Sequence, residues 1–413
     1  RDQASGQWTG ATKVEAEGVQ ARDQFGGALA VRGDVAAIGL TGADFGEGVA
    51  VILERDARSG EWSRKARVLS EAEPLAAVRG NKVDCRDGGA SIFKCNQVDL
   101  LSFLPVSAIG GRRGVQLSGV WGWTDPTTGR EYALPGRVDA LAFVDITDPS
   151  NPVYLGELPH TPGARPSSWR EIKVYKDHAF IVSDGAGKHG VQVFDLRQLR
   201  NVKNPPVTFA PTALYDRVFS AHNIVINEES GFAYSVGGSM GGETCGGGLH
   251  IINIQEPAKP AFVGCFADAS TGMRKTGYTH DAQCVMYRGP DAQHRGREIC
   301  IGSNETALSI QDVTDKANPK VLARGEYPNV GYTHQGWLTE DQRYFYVNDE
   351  GDEFSGTVAG TRTLIWDLSD LDDPVLAKEY IADNKAVDHN LYVRGHYMFQ
   401  SNYVAGLRVY DIT

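Results

Sequence analysis

The chain has 413 residues, 41% hydrophobic and 23% charged, with a formal net charge of −11. These are globular proportions, and the acidic balance excludes the cationic footprint that nucleic acid or an anionic membrane surface requires. No stretch approaches the roughly 18 uninterrupted apolar residues of a membrane helix.

The chain starts at Arg1 rather than Met, which we read as the trace of a removed export segment. "WTGATKVEAE" is a candidate strand that closes a ring onto the C-terminal end. From Asp23, "DQFGGALAVRGDVAAIGLTGADFGEGVAVILERDARSGEW" reads as strand, Gly-Asp turn, strand, Gly-rich turn and strand. Residues 71–117 form a connection that carries Cys85 and Cys95 around a polar loop. The other cysteines also fall into local pairs, Cys245 with Cys265 and Cys284 with Cys300. Three local pairs suit three disulfides and an oxidising compartment; six free thiols are the competing reading. The chain has no CxxC pair to make a thiolate zinc site.

Beyond residue 118 one pattern recurs. "LAFVDITDPSNPVYLGEL" starts at Leu141, "LHIINIQEPAKPAFVGCF" at Leu249, "LSIQDVTDKANPKVLARG" at Leu308 and "TLIWDLSDLDDPVLAKEY" at Thr363, with "LRVYDIT" at Leu407 and a looser "VQVFDLRQL" at Val191. All alternate apolar and polar residues; the first four then turn and resume after Pro, and the copies at Leu141, Leu308 and Thr363 do so through an Asp-rich D-x-[ST]-D turn. With two strands between copies, a unit is four strands, the dimension of a β-propeller blade. The units fall at 118–160, 167–217, 220–269, 278–328, 331–383 and 386–413. With the sheet from Asp23 they make a single all-β domain over 1–413, a propeller of seven blades, or eight if a C-terminal piece follows. A β-sandwich array is the structural competitor.

The "LAFVDITDPSNPVYLG" unit resembles an LVIVD repeat. "CRDGGASIFKCNQVDLLSFLP", "VWGWTDPTTGREYAL", "SSWREIKVYKDHAFIVSD" and "AHNIVINEESGFAYSVGG", in that order, resemble the bacterial choice-of-anchor B proteins. The segment Asp23–Leu69 resembles an FG-GAP-like repeat, although "GADFGEG" lacks the DxDxDG calcium loop. The resemblance implies an exported propeller at the cell surface, in the periplasm or released, and implies little about activity.

The histidines fall in register. His222, His280, His334 and His389 each precede the first strand of a unit, at intervals of 58, 54 and 55 residues. Arg170 occupies the same slot one blade earlier, and Trp121 lies near it in the blade before. First strands line a propeller's channel, so the four imidazoles converge on one rim. The second strands return to that rim with Asp184, Asn304, Glu305, Asn348, Asp349, Glu350 and Asn402. Neutral imidazoles with carboxylates suit a divalent metal, zinc, copper or manganese, with calcium also possible. The first functional expectation is a metal-dependent enzyme of lyase or oxidase type. His222, His280, His334 and His389 are its ligands, Glu305 or Glu350 its ligand or base, and Arg170 holds an anionic group such as a uronate carboxylate. The alternative is a non-catalytic surface propeller whose rim binds a glycan, small molecule or protein, the histidines being architectural.

Overall fold

The computed structural model describes residues 4–5, 13–15, 19–20, 22–69 and 75–413. The expected closing strand at 8–17 falls mostly outside them. Where the sequence suggests one domain, the contacts gather into two compact units, Arg1–Gln116 and Leu117–Thr413.

In the first unit, Phe25–Arg32, Val35–Leu40, Val49–Arg55 and Trp62–Val68 form a four-stranded antiparallel meander. Alternation buries Ala36, Ile38, Leu40, Val49, Val51 and Leu53 on one face as its own core. Asp44 of the "GADFGEG" loop is taken by Arg67 and Arg113, at 3.2 and 2.8 Å. Cys85 and Cys95 are bonded across a short hairpin.

The second unit is a propeller of six blades, each led by an inner strand: Leu117–Thr124, Arg170–Tyr175, Asn223–Asn227, Asp281–Met286, Thr333–Leu338 and Asn390–Arg394. Among the described residues, blade-type sheets therefore number seven across the two units. The sixth blade of the second unit has three strands, ending at Leu407–Asp411. The inner strands meet in chain order, and the last meets the first where Tyr392 packs edge-on against Trp121 at 5.8 Å. Apolar faces fill the wedges between blades. Phe143 and Phe194 do so between the first and second, and Phe345 and Trp366 join Ile301 and Ile310 between the fourth and fifth.

The repeated D-x-[ST]-D turn has a physical reading. Asp145, Asp312 and Asp367 each accept the backbone N–H two residues on, and Asp148, Asp315 and Asp370 do the same three residues later. Two successive Asx turns thus reverse the third strand into the fourth. Arg297 and Arg343 reach back to the first Asp of the motif in their blades, at 2.5 and 2.9 Å. Cys245–Cys265 and Cys284–Cys300 are disulfides within blades. Three disulfides indicate an oxidising compartment. Among the described residues, no helix is long and apolar enough to cross a membrane.

Adjacent inner strands are too splayed to share a full backbone ladder, and side-chain amides clasp them instead. Asn223 donates to the His280 carbonyl at 2.9 Å. Gln335 both donates to and accepts from the backbone of Leu391, at 2.9 and 2.8 Å. Gln283 accepts from Leu338 N–H at 2.8 Å. The polar residues after His222 and His334 therefore hold neighbouring blades together, where alternation alone suggests that they cap blade-to-blade turns.

Candidate metal centre

The four histidines stand in one file. Ring centroids are 4.2 Å apart from His222 to His280, 4.1 Å from His280 to His334 and 4.8 Å from His334 to His389. Inner-strand register sets this spacing, because each imidazole occupies the same pleat of successive blades. Nδ1 of His280 lies 2.8 Å from the His334 carbonyl oxygen, and Nδ1 of His334 lies 2.9 Å from that of His389. A carbonyl only accepts, so both Nδ1 atoms carry the proton and both Nε2 atoms keep a lone pair. Burial, followed by the neighbouring imidazoles, holds His280 and His334 well below their usual 6.5. Burial also lowers His389. These rings are neutral at physiological pH, as a metal ligand must be.

The file's two ends differ. Nδ1 of His222 faces Asp184 Oδ2 at 3.1 Å, and Asp184 also accepts from Ser239 and from Gly185 N–H. At the other end, one donor atom each from His334, Glu350 and His389 lie within 4.8 Å of one another. His334 Nε2 is 3.5 Å from Glu350 Oε2. The Tyr403 hydroxyl donates to Glu350 Oε1, and its ring packs on His389 at 4.7 Å. This end opens on a cavity of about 590 Å³ walled by Tyr332, Glu350, Phe354, Lys385, Tyr403 and Val404. Burial keeps the Tyr332 and Tyr403 hydroxyls protonated, each well above the ordinary phenol value.

Arg170 keeps the histidine slot, but it is buried; its Nε donates to the Arg137 carbonyl at 3.1 Å and its Nη1 meets His189 at 3.1 Å. It is a packing cation at the seam between the first and second blades, out of a substrate's reach, which corrects its expected role. The slot in the first blade falls on Ser118, whose hydroxyl exchanges hydrogen bonds with the Arg170 backbone. Trp121 is three residues deeper, in the channel under Lys173, and not on the rim with the histidines. Glu305 has φ +60° and accepts Met273 N–H at 2.7 Å. Its backbone bridges to Thr333, immediately before His334, and its carboxylate joins no ligand group. Asp349 takes the Tyr327 hydroxyl and the N–H groups of Gly331 and Tyr332. It thereby knots the Gly331–Thr333 turn and aims His334.

Two other donor groups are built for packing. Cys245 and Cys265 beside His250 are already joined as a disulfide. His294 bonds Asp372 at 3.0 Å, while Asp291 beside it accepts the N–H groups of Gln293 and Leu371.

Tyr403 and Phe354 sit on single helical turns and Lys385 on a loop, where no repeat fixes position, so register does not reveal them. The one signal was the unrepeated "NYVAG" before the last strand.

No family model and no curated protein matches this chain. Solved structures do. A candidate 6-phosphogluconolactonase from Bacteroides fragilis is 10% identical over 95% of this chain and 92% of its own, with a TM-score of 0.48. A functionally unknown protein from Desulfotomaculum acetoxidans is 12% identical over 71% and 82%, at 0.47. A hypothetical selenium-binding protein from Sulfolobus tokodaii is 9% identical over 86% and 78%, at 0.44. None of these likenesses says what the chain does.

Proposed function

We propose that this is an exported propeller enzyme that holds one divalent first-row metal on His334, His389 and Glu350 and acts on a small extracellular or periplasmic substrate. One observation carries the reading: two neutral imidazoles and a carboxylate, their donor atoms within 4.8 Å of one another, sit beside an open cavity. Imidazole and carboxylate together suit zinc, copper or manganese, and calcium less. The bound ion supplies Lewis acidity or, if copper, electron transfer. The protein's own part is clear from the contacts. Backbone carbonyls fix His280 and His334 in one tautomer, and Tyr403 orients Glu350, as outer partners of metal ligands do. The expected four-histidine ring becomes a two-histidine, one-carboxylate set, with His280 behind it.

The resemblance to choice-of-anchor B proteins supports export, and so do the three disulfides. The second reading, a non-catalytic platform for a glycan, small molecule or protein, is favoured at His222 and His280, which lie outside the His334–Glu350–His389 donor group. Elemental analysis of the purified full chain separates the two. Stoichiometric metal that disappears in His334→Ala/His389→Ala supports the centre; metal-free wild-type protein sinks it. Copper points to oxidase chemistry, and zinc, manganese or calcium to lyase chemistry.

A further inference from the structure

The cavity beside the candidate centre has a composition that selects a ligand. Its rim carries Phe354 and Val404, 88% and 95% exposed. Large apolar side chains left this open beside a cavity mark a contact surface awaiting an apolar partner. The two tyrosines in the wall have their hydroxyls engaged, Tyr403 on Glu350 and Tyr332 on Tyr278. What remains polar among the wall's side chains is Lys385 and Glu350. Lys385 makes no ion pair among the described residues.

This inventory argues against a sugar. A uronate brings several hydroxyls, each of which needs a donor or acceptor when stripped of water, and the wall offers few free ones. An aromatic body with one anionic end fits better. The ring covers Phe354 and Val404, and the carboxylate is drawn to Lys385 and repelled from Glu350.

We infer that the substrate class of this site is an aromatic monocarboxylate, its ring held by Phe354 and Val404 and its carboxylate by Lys385, so that the opposite end faces Glu350. This rests on the metal-centre reading for its chemistry, though not for its binding. Lys385 takes over the anion-holding role that the sequence suggests for Arg170.

The test is binding of trans-cinnamate, cinnamyl alcohol and D-galacturonate to the full chain, by calorimetry, with metal content measured on the same samples before and after chelation. The expected result is cinnamate bound at least about tenfold more tightly than either competitor. Lys385→Met abolishes the preference over the alcohol, and Phe354→Ala or Val404→Ser weakens both aromatic ligands; metal content stays unchanged throughout. Galacturonate bound as tightly as cinnamate overturns the inference, as does cinnamate that is not bound at all or is indifferent to all three substitutions. Selective cinnamate binding by protein that carries no metal as purified keeps the inference and removes the catalytic reading, whereas binding that merely survives chelation is expected. Stoichiometric metal without cinnamate selectivity does the reverse.

Discussion

His222 and His389 occupy the same slot at opposite ends of one file, and they meet different surroundings. His222 is received by Asp184, which Ser239 and Gly185 hold in place, so its ring is tied into the wall between two blades. His389 is received by Tyr403 and stands beside Glu350 and the open cavity. Register puts an imidazole in the slot, and the residue returning on the neighbouring second strand sets its company. Asp184, with its partners satisfied, ties His222 into the wall, whereas Glu350 leaves one oxygen facing His334, the arrangement on which the proposed centre rests.

The largest effect that this contrast predicts is on metal affinity. Replacing His334 and His389 together removes both nitrogen donors and lowers affinity by more than about 100-fold, beyond what loss of an outer partner does. Titration against a fluorescent chelator reads it. The same pair of changes at His222 and His280 leaves the donor set whole, so equal losses from both doubles would erase the distinction between the ends.

Glu350→Gln comes next. The amide keeps the shape and removes the charge, and affinity falls about 10–100-fold. A variant that binds metal like wild type would reduce the centre to two imidazoles.

Between the ends, Asp281 follows His280 and is set in the channel near Lys173 and Glu171. Burial pushes its carboxyl up to about 7, against an ordinary 3.8, although Lys173 pulls the other way. Between roughly pH 4 and 7 the unfolded chain has lost this proton and the fold retains it. Stability therefore falls as pH rises through that window, by at most about 1.4 kcal/mol per pH unit. Asp281→Asn removes this slope: it matches wild type near pH 4 and exceeds it at pH 7.5, as urea midpoints at the two pH values report. Equal midpoint differences at both would place Asp281 in a solvated site.

Period-two alternation and the D-x-[ST]-D turns were enough to divide the chain into blades, because each blade repeats the same backbone problem and solves it with the same residues. The file of histidines was legible for the same reason. What register could not convey was direction and company. Arg170 sits in the slot yet turns toward His189, because the large guanidinium finds a carbonyl and an imidazole between blades. Glu305 and Glu350 end equivalent strands, but a left-handed residue at 305 turns that carboxylate toward the 272–273 loop. Tyr403, Lys385 and Phe354 belong to connections that occur once, and nothing repeats to locate them.

The smallest predicted effect isolates the strut. Asp184→Asn keeps a hydrogen-bonding group opposite His222 but loses the charge that also gathers Ser239 and Gly185. Hydrogen bonds of this kind contribute about 1 kcal/mol net, somewhat more where one partner is charged. His222→Asn removes the other partner and the ring's packing on His280, at 4.2 Å. Each change should cost about 1–2 kcal/mol in urea unfolding. The double variant should cost less than the sum, because the two act through one contact. Metal content should stay at the wild-type value in all three. If Asp184→Asn instead loses metal while its unfolding midpoint holds, the file conducts influence from end to end, and the slot at His222 is part of the centre after all.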